Sequence, residues 1–254
     1  MNRIRQIFKN KSEKLIPFFT AGYPEKNDTI DMVLAADRAG ASMIEIGIPF
    51  SDPIADGSII QESSSIALEN GVTMNWILEI VTEIRKKSEI PLALMGYINP
   101  IINFGLREFL KECCQVGVDG LIVPDMPYEE AGEYAELSKE SHISPILLIS
   151  PNSSPKRIEN ISNMAGDLVY CVSILGVTGS SNYDDQSLNK YLCRVKKYST
   201  CPFIVGFGFK TRDDVRKINQ IADGAVIGSA IINEMQKPGR PVNILKNYIR
   251  KMTA

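Results

Sequence analysis

One glutamate in this chain stands where a carboxylate is costly. In the run MIEIGIPF (43–50), Glu45 lies between Ile44 and Ile46. A carboxylate held in an apolar strand loses several kcal/mol of hydration unless it is paired or protonated. Burial raises its pKa, the state wanted in a group that gives and takes protons near neutral pH. A structural Glu bridging to a neighbouring strand or a backbone amide would read the same way. The loop that follows, PFSDPIADGSIIQ, adds Asp52 and Asp56. Asp before Pro or Gly is ordinary turn chemistry. Asp56, however, directly follows a strand bearing a buried carboxylate, and two carboxylates in different surroundings can divide the roles of acid and base. Asp125, at the end of GLIVPD (120–125), is placed in the same way.

A second group of residues points to an anion. GVTGSSNYDDQ (176–186) is long, polar and rich in small residues, as suits a mobile active-site lid. GFGFK (206–210) and GSAII (228–232) follow two later apolar runs. Gly208 and Gly228 let backbone N–H groups approach an anion closely, and Gly228-Ser229 opens a short helix whose N-terminus favours negative charge. Lys210 and Arg212 lie nearby, although charges in the run K-T-R-D-D read first as solvated.

Other chemistries have little to work with. His142 is the only histidine among 254 residues and lies in the polar stretch KESHISP, which leaves no good base for a Ser-His-Asp or Cys-His catalyst. Cys113, Cys114, Cys171, Cys193 and Cys201 contain no C-x-x-C pair, so neither zinc nor any other metal site is expected. They read as small hydrophobes in a reducing cytoplasm. A net charge of −2 argues against nucleic-acid binding. No apolar run approaches the ~18 residues of a membrane span, and the basic start MNRIRQIFKNKSEK is too broken by charge for a secretory leader.

Eight short apolar runs must position these residues: 16–22, 43–50, 90–96, 120–125, 144–150, 168–173, 201–208 and 224–228. Most are nearly continuous, as expected of parallel strands buried on both faces. Segments with helical periodicity lie between them, among them Thr29–Ala39 before Gly40, Leu106–Val116 before Gly117, Glu129–Ser141 and Leu188–Lys197. The wide gap after the second run holds an extra helix, Ser58–Asn70, ahead of Met74–Lys87. Eight βα units in about 250 residues predict an α/β TIM barrel with a short helix after strand 8, as one domain over residues 1–254. A doubly wound sheet is disfavoured, because no G-x-G-x-x-G follows the first strand. In a barrel, function sits at the C-terminal strand ends, where the acids and glycines above all lie.

The segments PFFTAGYP, IEIGIPFSDPIADGSIIQ, GVTG, GFGF and GSAI, in order over essentially the whole chain, resemble the α chain of tryptophan synthase. The F-S-D-P-x-A-D-G segment is highly specific. The resemblance implies a lyase of tryptophan biosynthesis that cleaves indole-3-glycerol phosphate to indole and glyceraldehyde 3-phosphate by a retro-aldol reaction, with no cofactor. It implies that Glu45 is a mobile acid/base and that Asp56 bonds the indole N–H and stabilises the charge arising there. Tyr170 would lie beside Glu45, and Thr178 would bond the aspartate on lid closure. Gly179, Gly208, Gly228 and Ser229 match phosphate-binding positions; Phe18, Met95, Tyr97, Ile122 and Phe207 match an indole pocket. It further implies a β chain carrying pyridoxal phosphate as partner in an α-β-β-α heterotetramer. Pro49, Asp52, Asn99, Asn103 and Pro127 match positions at that contact, though turn chemistry alone would account for all five. Ile174-Leu175 departs from family members that carry polar residues there, making the lid entrance more apolar. Two rival readings are a regulatory subunit that mainly binds and activates the β chain, and another phosphate-sugar barrel enzyme such as an isomerase.

Overall fold

The computed structural model describes residues 2–172, 185–206 and 208–253. The chain runs α1 (Arg3–Ile7), β1 (Leu15–Thr20), α2 (Thr29–Arg38), β2 (Ile44–Gly47), α3 (Ser58–Glu69), α4 (Met74–Arg85) and β3 (Leu92–Met95). It continues through α5 (Ile98–Phe104), α6 (Leu106–Val116), β4 (Gly120–Ile122), α7 (Gly132–Glu140), β5 (Ser144–Ile149), α8 (Pro155–Ala165) and β6 (Val169–Val172). The last part holds α9 (Asp185–Tyr198), β7 (Phe203–Gly206), α10 (Arg212–Asn219), β8 (Gly224–Ile227), α11 (Ser229–Met235) and α12 (Pro241–Thr253). The eight strands are parallel and close into a barrel in sequence order, β8 pairing back onto β1. This is the TIM barrel expected from the eight apolar runs, with the extra helix α3 between β2 and β3 and the short α11 after β8.

Local chemistry explains the boundaries. α6 ends where Gly117 takes φ 91°, a left-handed C-cap that glycine adopts without steric cost. The helix expected at Glu129–Ser141 is shorter, because Tyr128–Glu130 forms a 3₁₀ turn before α7 begins at Gly132. The long polar segment expected to reach residue 186 stops sooner, since Asp185 already starts α9. Two helices had no clear signature. α5 reads INPIINF, but its Pro100 falls in the first turn, where a missing N–H costs nothing. α1 is only five residues long and is started by the Asn2 side chain, which accepts from Ile4 N–H at 2.8 Å.

Register fixes what faces the barrel interior. Partners in parallel strands point to the same side, so Phe18, Glu45, Ala93, Gly120 and Ser144 form one level. Thr20, Gly47, Met95 and Ile122 form the next level toward the strand C-termini. Large residues are matched by small ones across these levels. At the bottom, Ile4 of α1 is fully buried, and its Cδ1 and that of Ile146 fill the space a side chain at Gly120 would need. Burying an isoleucine in this way contributes about 1.5–3 kcal/mol. Asp119 fastens the same end, accepting from Arg3 Nη1 at 3.0 Å, Arg85 Nη2 at 2.8 Å and Leu92 N–H at 2.9 Å.

Candidate active site

Glu45 is 1% exposed, points inward from β2, and its Oε2 has no hydrogen-bond partner among the described residues. Burial, reinforced by the nearby Asp56 charge, pushes its pKa up to about 8. An unpartnered buried oxygen on a titratable group is costly and is the exception in folded proteins. Asp56 is 5% exposed on the loop after β2. Its Oδ2 accepts the Tyr97 hydroxyl at 2.9 Å, and that hydroxyl accepts the Ala55 N–H at 3.0 Å. Burial raises Asp56 to about 6 despite the opposing Tyr97 hydrogen bond. The two carboxyls therefore differ in protonation at pH 7, Glu45 mostly neutral and Asp56 mostly ionised. One can donate a proton while the other receives positive charge.

Aromatic and aliphatic groups surround this pair. The Phe18 ring lies over Gly47, where an added Cβ would sit 2.8 Å from Cε2 and Cζ, and reaches Gly228, where it would sit 3.0 Å from Cδ1. Met95 and Ile122 are registered neighbours beside Gly47. Tyr170 crosses Gly206 so closely that a side chain there would overlap its phenol. Its pKa is raised by burial and by the charges of Glu45 and Asp56. Flat rings are thus seated on glycines beside the carboxyl pair. Thr178, Gly179, Phe207, Ile174 and Leu175 lie outside the described residues.

The two helices following β7 and β8 differ at their N-termini. α10 caps itself: Thr211 accepts from Asp214 N–H at 3.2 Å, and Asp214 Oδ2 accepts from Thr211 N–H at 2.9 Å and Lys210 N–H at 3.1 Å. Arg212 is bound to Glu13 at 2.6 Å, so it is engaged in an ion pair rather than simply solvated. α11 has no side-chain cap at Gly228; the Ile231 N–H turns back to Gly228 O at 2.8 Å, and the N–H groups of Ser229 and Ala230 precede it at the positive end of the helix. Among the described residues nothing crowds Gly208, and its backbone has no positive φ.

Asp52 and Pro127, on loops, and Asn99 and Asn103, on α5, are exposed around the same end, while Pro49 is buried. Pro49, Phe50, Ser51, Pro100, Leu68 and Met74 help line a cleft of about 260 Å³ beside them. Sequence reasoning missed Ile54 and Ile102, which are 75% and 61% exposed and flank those polar positions. It also gave Asp125 no task; its Oδ1 accepts the Ile98 N–H at 3.0 Å. His142 is an exposed turn residue with φ 59°, far from any such role. No group of three or more His, Cys, Asp or Glu that could hold a metal occurs among the described residues.

Fold and site define a β/α-barrel protein with unequal buried carboxyls at the C-terminal strand ends. A family model described as "Tryptophan synthase alpha chain" matches residues 4–253, and the chain belongs to that family. The tryptophan synthase alpha chain of Petrotoga mobilis is 41% identical over 253 residues, covering 100% of this chain and 98% of that protein. That of Flavobacterium psychrophilum is 41% identical over 241 residues, covering 94% and 95%. The solved tryptophan synthase subunit alpha of Legionella pneumophila superimposes with a TM-score of 0.92 at 31% identity, covering 99% of this chain and 97% of that one. A chain of the tryptophan synthase complex of Pyrococcus furiosus gives 0.87 at 38% identity, covering 95% and 98%.

Proposed function

We propose that this protein cleaves indole-3-glycerol phosphate to indole and glyceraldehyde 3-phosphate in tryptophan biosynthesis, with Glu45 as acid/base and Asp56 as partner of the indole N–H. The observation that carries the role of Glu45 is its buried carboxyl, whose Oε2 has no partner among the described residues, near an Asp56 held by Tyr97. Neutral Glu45 gives its proton to indole C3, and ionised Asp56 stabilises the positive charge that spreads onto the ring nitrogen. The Glu45 carboxylate then takes the proton of the glycerol hydroxyl next to the ring as the carbon–carbon bond breaks. Glu45 is regenerated, and no cofactor of this chain is required. Phe18, Met95, Tyr97, Ile122, Tyr170 and Phe207 hold the indole ring. Gly179, Gly208, Gly228 and Ser229 hold the phosphate. Thr178 fastens the segment that closes over them.

The partner is a tryptophan synthase β chain, in an α-β-β-α assembly where pyridoxal phosphate belongs to the β chain. Asp52, Asn99, Asn103 and Pro127, with Pro49 behind them, form the docking face, and exposed Ile54 and Ile102 supply its apolar centre. We read residues 1–254 as one domain. The cytoplasm is the compartment that suits five free thiols, and no helix among the described residues is long and apolar enough to cross a membrane.

Indole release from indole-3-glycerol phosphate, with and without β chain, tests the reading. Glu45→Gln should nearly abolish release while the affinity for glycerol 3-phosphate survives. Near-normal turnover in that variant would overturn the assignment. Negligible turnover by wild type, with strong activation of the β chain, would make the protein a regulatory subunit.

A further inference from the structure

Asp125 follows β4, yet its side chain acts on the neighbouring loop. Its Oδ1 accepts the N–H of Ile98, the first residue of α5, at 3.0 Å. Tyr97, just before it, is the N-cap residue of α5 and has no side chain suited to capping. Asp125 therefore supplies from another strand end the acceptor that a Ser or Asp N-cap would supply locally, and a carboxylate suits a helix N-terminus. That bond fixes the backbone next to Tyr97. From there the Tyr97 hydroxyl reaches Ala55 N–H at 3.0 Å and Asp56 Oδ2 at 2.9 Å. Three loops are joined in one line, from β4 through β3 to β2.

We infer that Asp125 is a positioning residue for the cleavage reaction: by holding the first turn of α5 it sets the Tyr97 hydroxyl against Asp56. The inference rests on the role of Asp56 proposed above. A merely structural cap would affect stability alone. A merely electrostatic role would act with the opposite sign, because removing a negative charge near Asp56 makes that carboxyl easier to ionise. Loss of the Tyr97 hydrogen bond makes it harder to ionise. The other groups facing Asp56 are Glu45 from β2 and Tyr170 from β6, with Tyr97 between Asp56 and Asp125. All of them remain unchanged in the Asp125 variants.

The test is the pH dependence of kcat/KM for indole release by the complex with the β chain. Asp125→Ala should move the acid limb upward by about half a pH unit or more, as should Tyr97→Phe. Asp125→Asn keeps an oxygen acceptor for Ile98 N–H and should leave the limb at or slightly below the wild-type position. In Tyr97→Phe, adding Asp125→Ala should give no further displacement. The inference fails if Asp125→Ala leaves the limb unmoved or lowers it, or if its upward shift persists in full without the Tyr97 hydroxyl. Should Asp125→Ala not fold, Asp125→Asn decides: an upward shift as large as that of Tyr97→Phe overturns the inference, and a wild-type limb supports it. Absence of indole release from the wild-type complex would instead strike the reading of the site itself.

Discussion

Tyr97 donates its hydroxyl hydrogen to Asp56 Oδ2 at 2.9 Å, so the ionised carboxyl of this site is held by a neutral phenol rather than a cation. That choice leaves Asp56 near pKa 6 and Glu45, whose Oε2 has no partner among the described residues, near 8. A cation in the place of Tyr97 would lower both and leave no proton donor at neutral pH.

The pH dependence of kcat/KM should accordingly be bell-shaped. Activity rises through about pH 6 as Asp56 ionises and falls through about pH 8 as Glu45 loses its proton. The two limbs belong to the coupled pair. A flat profile between pH 5 and 9 would contradict the division of labour.

Glu45→Gln should lower the cleavage rate by about 10²–10⁴-fold, the usual contribution of a positioned acid/base. The same change should stabilise the fold at higher pH. In the wild type, the unfolded chain releases the Glu45 proton near pH 4.5, whereas the folded protein keeps it to about 8. Across that window, this one group costs the native state about 1.4 kcal/mol per pH unit. Urea unfolding at pH 5 and pH 8 should show an advantage of the Glu45→Gln variant over wild type that grows with pH; an equal advantage at both would count against the shifted pKa.

Gly47→Ala places a methyl 2.8 Å from Phe18 Cε2 and Cζ. The ring must then move, at a cost of about 1–3 kcal/mol for overpacking. KM for indole-3-glycerol phosphate should rise with it, since Phe18 forms one wall of the proposed ring pocket. An unchanged KM in a destabilised variant would remove Phe18 from that wall.

Ile54→Asp and Ile102→Asp alter side chains that are 75% and 61% exposed. Stability of the isolated chain should change by no more than about 0.5 kcal/mol. The β-chain concentration needed for half-maximal activation should rise by about tenfold or more, because apolar centres dominate interfaces. Titration of indole release with β chain measures this directly, and unaltered titrations would relocate the docking face.

Asp119→Ala removes the carboxylate shared by Arg3 and Arg85 at the barrel bottom, leaving Arg3 with Glu89 and Arg85 with the carbonyls of Ser88, Ile90 and Gly117. Breaking a fully buried pair on one side costs about 3–5 kcal/mol, and the retained partners put this change at or below the lower end of that range. Chemical denaturation should register that loss; a change below about 1 kcal/mol would mean that water replaces the carboxylate.

Much of this molecule is legible in its sequence, for definite reasons. Parallel strands covered on both faces leave near-continuous apolar runs, and Gly117 marks a helix end because only glycine enters φ 91° without strain. Glu45 is conspicuous because charge is expensive between Ile44 and Ile46. What could not be read depends on distant neighbours. Tyr97 and Asp56 are 41 positions apart, and only barrel register brings them together. Phe18 over Gly47 is likewise a fact of β1–β2 pairing. α5 was hidden because Asn and Pro favour turns, and its start is stabilised by a carboxylate from another strand end. Ile54 and Ile102 look like any other aliphatic residues until the burial of everything around them is known.

The closure of β8 onto β1 has a consequence for how such a protein is made. Leu15 pairs with Ala225, and Phe18 leans on Gly228, so the wall of the proposed ring pocket joins the earliest-synthesised strand to the latest. A chain emerging from the ribosome carries Glu45 and Asp56 long before that wall exists. Until β8 slots in, β1 and β7 present unpaired edges that can template association with other chains. The vulnerable period of this enzyme is therefore its translation, and slowing elongation ahead of β8 should cost more soluble protein than slowing it after α11.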